Sequence, residues 1–255
     1  MVIRTAGMRE PKTNYKQSKY CIAYLDILGG KNLICKDSDN TFLNHLNMFF
    51  EDAICEAETA NIFDNKDIIV KFFSDNILLA IKLNNSDTNR TNKLTKLLNI
   101  VGNIQIEILE YGYLMRGAIV EGEFYHNNKF VYGKALVEAV NIEENIAIYP
   151  RIIIQKQIQE VTPHYCYQDA DEYYLNSFLY CSGLSYVRFK NSLLDMLKKY
   201  ANNQKIMQKI IWAITYYNKY YSNPYSFNTV GVQLITEKEI NDIISKTSAK
   251  CYTNL

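Results

Sequence analysis

The chain has 255 residues, with 28 Lys plus Arg against 27 Asp plus Glu and a net charge of +1; apolar residues make up 48 % and charged residues 22 %. That composition is ordinary for a globular chain and excludes a disordered one. A near-neutral chain has no broad basic field, which argues against a non-specific nucleic-acid binder. No stretch approaches the roughly 20 apolar residues of a membrane span. Met1 to Lys19 is a polar leader without the apolar core of a signal peptide. The six cysteines form no C-x-x-C pair and read as reduced, mostly buried thiols. His45, His126 and His164 are too scattered for a zinc site or a Ser-His-Asp triad. A cytoplasmic protein is expected.

In chain order, Tyr20 to Leu28 is an apolar run broken only by Asp26 and followed by Gly29-Gly30, which reads as a buried strand ending in a turn. Thr41 to Glu58 carries Phe42, Leu46, Phe49, Phe50, Ala53 and Ala57 at helical spacing. Ile68 to Phe73 and Ile77 to Leu83 read as strands joined by Ser74-Asp75-Asn76, a hairpin with Asp75 at its tip. Lys93 to Glu110 is an amphipathic helix stopped by Gly112. Tyr113 to Gly122 is a strand that carries Arg116, and a short strand ends at Tyr132. Gly133 opens a helix to about Ile146, Pro150 ends it, and Ile152 to Ile154 is a further strand.

The order β-α-β-β-α-β, then a helix and a strand, predicts an α/β (α+β) ferredoxin-like fold and excludes a Rossmann fold. Residues 20–155 form the expected core. Residues 156–255 are expected to be a helical region packed on it, with helices at Phe189 to Tyr200, Lys205 to Tyr221 and Glu237 to Ile244.

Two acids stand where acids are costly: Asp26 inside an apolar strand and Asp75 at the tip of an apolar hairpin. In a ferredoxin-like sheet the first strand is expected beside the hairpin's first strand, so that both carboxylates meet at one sheet edge beside Gly29-Gly30. Hard oxygen ligands so placed suit Mg²⁺ or Mn²⁺. A glycine turn suits phosphate oxygens, and Arg116 could add a bidentate phosphate contact. The plainer alternative is that both acids cap turns and Arg116 neutralises one of them. Glu143-Glu144 reads as a solvated helix face.

These motifs resemble those of class III nucleotide cyclases. Tyr24-Leu25-Asp26-Ile27-Leu28-Gly29 is similar to the family's Phe-x-Asp-x-x-Gly strand. Lys71-Phe72-Phe73-Ser74-Asp75 is similar to its Lys/Glu-x-x-Gly-Asp hairpin. Arg116-Gly117-Ala118-Ile119-Val120-Glu121-Gly122 keeps the spacing of its Arg-x-Gly-Ile-x-x-Gly strand, and Tyr132-Gly133 precedes the next helix as in the family. Ser74-Asp75, Gly133-Lys134-Ala135-Leu136-Val137-Glu138-Ala139 and Tyr149-Pro150-Arg151 most resemble the pyrimidine nucleotide cyclases of bacterial Pycsar anti-phage systems.

The resemblance implies a homodimer with sites at the interface and a reaction that converts UTP or CTP to a 3′,5′-cyclic monophosphate. The product would reach a separately encoded effector, with no nucleic acid and no membrane as partner. It implies two Mn²⁺ or Mg²⁺ ions per site on Asp26, Asp75 and the backbone of Ile27. Asp26, Asp75 and Arg116 would be catalytic, and Ile27, Leu28, Gly29, Gly30, Lys71 and Asn141 would bind nucleotide. Lys71 stands where purine cyclases of the family carry a base-reading Lys or Glu, which keeps a purine substrate as an alternative; an edge-strand lysine exposed to water is the other reading of it. The family's Asn four residues after the helix-opening Gly, and its transition-state Arg eight after, are Val137 and Asn141 here. That departure keeps a catalytically silent nucleotide-binding or dimerisation module as a second alternative.

Overall fold

The computed structural model describes residues 15–62, 68–83, 89–180, 185–226 and 231–252. Most of the expected leader, residues 1–14, lies outside them. The chain runs through β1 (Ser18–Ile27), α1 (Gly30–Lys36), α2 (Thr41–Ile62), the hairpin β2 (Ile68–Phe73) and β3 (Asn76–Lys82), and α3 (Arg90–Glu110). Then come β4 (Met115–His126), the two-residue β5 (Val131–Tyr132), α4 (Lys134–Asn145), β6 (Ile152–Ile154) and the single turn α5 (Lys156–Gln159). A second hairpin, β7 (Cys166–Asp169) and β8 (Glu172–Leu175), precedes α6 (Ser185–Tyr200), α7 (Gln204–Tyr221) and α8 (Glu237–Tyr252).

The sheet order is β2-β3-β1-β4-β6-β8-β7, with β5 paired to the end of β4. Its first four strands keep the ferredoxin-like order expected from the element sequence. One detail differs from expectation. The neighbour of β1 is β3, the hairpin's second strand, so Asp26 pairs with Asn76 in register. The hairpin tip still ends beside Asp26, because Asp75 immediately precedes Asn76.

Alternation explains why β1 reads as an apolar run on both parities up to Asp26: both of its faces are buried. Cys21, Ala23, Leu25 and Ile27 face a core shared with Phe42, Leu46 and Phe49 of α2 and Leu94, Leu97 and Val101 of α3. Tyr20, Ile22 and Tyr24 face the other way, against Ala135 and Ala139 of α4. Asp26 belongs by parity to this α4 face, and so does Arg116 opposite it on β4.

The region after residue 155 is not simply helical. Its β7–β8 hairpin extends the sheet through Ile153↔Tyr174 and Ile154↔Tyr173, turning through Ala170 at φ 52°. A third core joins Ile153 and Tyr174 of the sheet to Phe189 and Leu193 of α6 and Ile210, Tyr217 and Tyr220 of α7. Tyr216 of α7 accepts a hydrogen bond from the Ser177 amide at 3.0 Å, tying the helix to the end of β8. Among the described cysteines only Cys21 is fully buried, and Cys35 and Cys55 are exposed, contrary to the expectation of mostly buried thiols. Among the described residues no helix is long and apolar enough to cross a membrane.

Candidate active site

The site forms where β1 ends. Ile27 donates its amide to the Asp75 carbonyl at 3.4 Å and Leu28 donates to the Leu114 carbonyl at 2.7 Å. Those two amides are therefore committed to the protein backbone. This corrects the expectation that the whole stretch from Ile27 to Gly30 offers N–H groups. Gly29 takes the left-handed φ of 83° and starts α1, a seven-residue helix too short to show in the periodicity of the sequence. The Gly29 and Gly30 amides donate to no protein acceptor among the described residues.

Gly30 is demanded by space. A Cβ there would lie 1.6 Å from Asp75 Oδ2 and 2.5 Å from its Cγ. The Asp75 carboxylate thus rests on the bare backbone at the start of α1, itself nearly buried. Ser74, at φ 57°, donates its hydroxyl to Asp75 Oδ1 at 2.8 Å and holds that orientation.

Asp26 and Arg116 face each other in register on β1 and β4. Arg116 Nε lies 3.4 Å from Asp26 Oδ2 and 2.5 Å from Glu143 Oε1. The Glu143 contact is one of charge, since that oxygen accepts no well-aligned hydrogen bond. Glu143 is 3 % exposed, so the expectation of a solvated Glu143 is wrong; its neighbour Glu144 is exposed. The signal was present in the sequence: Ala135, Ala139 and Glu143 recur every four residues, which places Glu143 on the buried stripe of α4.

Burial raises the Glu143 carboxyl to about 7 against the opposing Arg116 charge, and the Asp26 charge adds to the rise. Burial also raises Asp26; Arg116 opposes this and Asp75 adds to it. Lys209 of α7 joins this electrostatic group: burial lowers its ammonium pKa, Arg116 lowers it further, and Asp26 and Glu143 oppose. Nothing in the sequence reading singled out Lys209, because its helix lies far along the chain from the motifs.

The remaining expected residues are less tightly gathered. Lys71 pairs with Leu78, which pairs with Tyr24, so it shares the α4 face of the sheet with Asp26, on the edge strand β2. Asn141 is exposed on α4 and accepts a hydrogen bond from Asn145 Nδ2 at 2.9 Å. It does not reach the Asp26 cluster through any hydrogen bond or ion pair among the described residues.

Among the described residues, no three His, Cys, Asp or Glu side chains form a complete metal-binding group. Asp26 and Asp75 nevertheless suit Mg²⁺ or Mn²⁺. Such ions take one or two carboxylates and complete their shell with water and substrate phosphates. The charge of Asp75 raises the Asp26 pKa, a repulsion that a cation between them would relieve.

No protein-family model matches the chain, and no curated protein matches it in sequence. Solved structures do match. The monomeric guanylyl cyclase domain of the RhoGC fusion protein from the aquatic fungus Blastocladiella emersonii has a TM-score of 0.50 at 14 % identity, covering 64 % of this chain and 96 % of that one. The guanylate cyclase domain of RhGC from Catenaria anguillulae, solved with GTP, has a TM-score of 0.49 at 12 % identity, covering 64 % and 98 %. The adenylyl cyclase CyaB from P. aeruginosa has a TM-score of 0.47 at 11 % identity, covering 67 % and 97 %. The site of Asp26, Asp75 and Arg116 is therefore built on the fold of a class III nucleotide cyclase catalytic domain.

Proposed function

We propose that the chain is a nucleotide cyclase that converts a pyrimidine nucleoside triphosphate, UTP or CTP, to its 3′,5′-cyclic monophosphate and pyrophosphate. The observation that carries this reading is the meeting of Asp26 and Asp75 beside the free amides of Gly29 and Gly30, with Arg116 paired to Asp26. The 3′-oxygen forms a bond to the α-phosphorus, the bond to the bridging oxygen of pyrophosphate breaks, and the hydroxyl proton leaves to water. Asp26 and Asp75, with the backbone of Ile27, would hold two Mg²⁺ or Mn²⁺ ions, whose bound charge supplies Lewis acidity toward the hydroxyl and the phosphates.

The chain's own groups orient the substrate. The Gly29 and Gly30 amides would donate to the phosphates. Arg116 anchors Asp26 and brings positive charge to the α4 face. The pyrimidine choice rests on the Pycsar-like motifs at Ser74-Asp75, Gly133 to Ala139 and Tyr149 to Arg151. With it comes an anti-phage messenger role and an effector reached through the cyclic product. A homodimer is supported by Phe73, Tyr132 and Val137, which are exposed apolar side chains on β2, β5 and α4. A purine substrate is the second reading, favoured by Lys71 on the same sheet face as Asp26.

The test is product analysis by mass after incubation with ATP, GTP, CTP and UTP separately, each with Mn²⁺ or Mg²⁺. A cyclic pyrimidine product is expected, reduced at least about a thousandfold in Asp75→Ala. A cyclic purine product would transfer the assignment to the second reading. Nucleotide binding without pyrophosphate release would make the chain a silent module.

A further inference from the structure

A cleft of about 670 Å³ opens between α1, the start of α2, the turn from Gly112 to Leu114, and the facing sides of α6 and α7. We propose that it binds an anion of nucleotide size with an aromatic or apolar body, at a site separate from Asp26 and Asp75. The site stands whether or not the chain is a cyclase.

Charge is the first argument. Lys36, Lys199 and Lys209 line the cleft, and Asp37 is its one acid. Both oxygens of Asp37 are already engaged: Oδ1 accepts from the Phe42 amide and Oδ2 from the Leu43 amide, each at 2.9 Å. That carboxylate is oriented toward the start of α2 and forms no ion pair with the lysines among the described residues. Among the described residues none of the three lysines has a carboxylate within ion-pair distance. Lys199 stands over the Tyr200 ring at 5.3 Å. Lys209 is half-buried, and burial lowers its ammonium pKa. Asp26 and Glu143 favour its charged form only from beyond ion-pair distance, so a bound anion lowers the cost of drawing this cation partly out of water.

The walls supply the second argument. Leu33, Phe42, Tyr113, Met196, Ile206 and Ile210 make them largely apolar. A bare inorganic anion would leave those walls unused, whereas a ligand with a ring would cover them; the volume is that of small-molecule sites, roughly 300 to 1,000 Å³. Asn203 spends its side-chain oxygen on the Ile206 amide at 3.2 Å, which leaves its NH₂ group as a donor at the rim. Leu28 and Gly29, at the end of β1, also line the cleft. The cleft therefore adjoins the candidate active site from the α6–α7 side.

The probe is 8-anilinonaphthalene-1-sulfonate, an anionic aromatic, titrated by fluorescence into the full chain. Saturable binding is expected, weakened about tenfold or more in Lys36→Glu/Lys199→Glu and unchanged in Asp75→Ala, with cooperative melting by circular dichroism in each. Ile206→Trp, which fills the cleft from its wall, is expected to weaken the probe by a similar factor if charge reversal disturbs folding. Equal affinity in the wild type and both cleft variants would overturn the proposal. So would displacement of the probe by a nucleoside triphosphate that needs Mn²⁺ and intact Asp75, because the cleft would then be part of the substrate site. Neither readout involves product formation, so failure here and failure of the cyclase reading are told apart.

Discussion

Glu121 and Glu143 are both buried acids, 7 % and 3 % exposed, and the protein treats them in opposite ways. Glu121 on β4 has two cations to itself: Arg90 at 2.5 Å and Lys19 at 3.3 Å. Its amide donates to Gln155 Oε1 at 2.8 Å. That acid stitches β1, β4, the start of α3 and the chain after β6 into one unit. Glu143 shares one arginine with Asp26, and Asp75 stands close enough to raise Asp26 further. A compensated buried charge is architecture. A shortage of positive charge around several acids costs stability and invites a cation, which is the mark of a site.

The largest effect is expected at Gly30. Gly30→Ala drives a Cβ into the Asp75 carboxylate. It is expected to cut cyclic-nucleotide formation about a hundredfold by misplacing that group, measured by product mass alongside a melting curve. Unaltered activity would show that the position of Asp75 is not critical. The next test sets the two glutamates against each other. Glu121→Gln removes the charge that holds Arg90 and Lys19 and is expected to cost about 2 kcal/mol in urea unfolding. Glu143→Gln relieves crowding among acids and is expected to stay within about 1 kcal/mol of the wild type. Equal losses would erase the distinction between the two clusters.

A weaker effect is expected away from the site, at Glu107. Burial, a hydrogen bond with Asp52 and the charge of Asp52 push the Glu107 carboxyl on α3 up to about 8, and Glu110 and Glu56 add to the rise. The folded state therefore keeps a proton that the unfolded chain has lost above its ordinary value near 4.5. Stability is expected to fall as pH rises from about 4.5 to about 8 and to level off above that. Glu107→Gln should flatten this slope, as read from melting temperatures across that range.

The elements that could be read from sequence were those with a clear period or an unbroken apolar run: β1, the β2–β3 hairpin, α2, α3 and α4. The ferredoxin-like class of the sheet followed from the element order, but which hairpin strand lies beside β1 did not: the hairpin's first strand was expected there, and β3 pairs with it. What escaped had weak local signals. The seven residues of α1 are too few for a period. The β7–β8 hairpin turns through Ala170 in a left-handed conformation instead of through glycine, amid tyrosines that fit strand or helix. Within the site, Asp26, Asp75 and Arg116 stood out because each interrupts apolar sequence. Glu143 was hidden by its pairing with Glu144, which made a buried position look like a charged helix face. Lys209 reaches the site only through the tertiary placement of α7.

Ser74 shows a conflict settled inside a single turn. Its left-handed backbone is a geometry that glycine adopts without penalty and that costs other residues about 1 kcal/mol or more. A glycine would make the hairpin easier to form but would lose the hydroxyl that fixes one oxygen of Asp75. The chain accepts a harder turn in exchange for a carboxylate whose direction is set before any ligand arrives. A selection for thermostability alone, blind to activity, would therefore be expected to replace Ser74 with glycine.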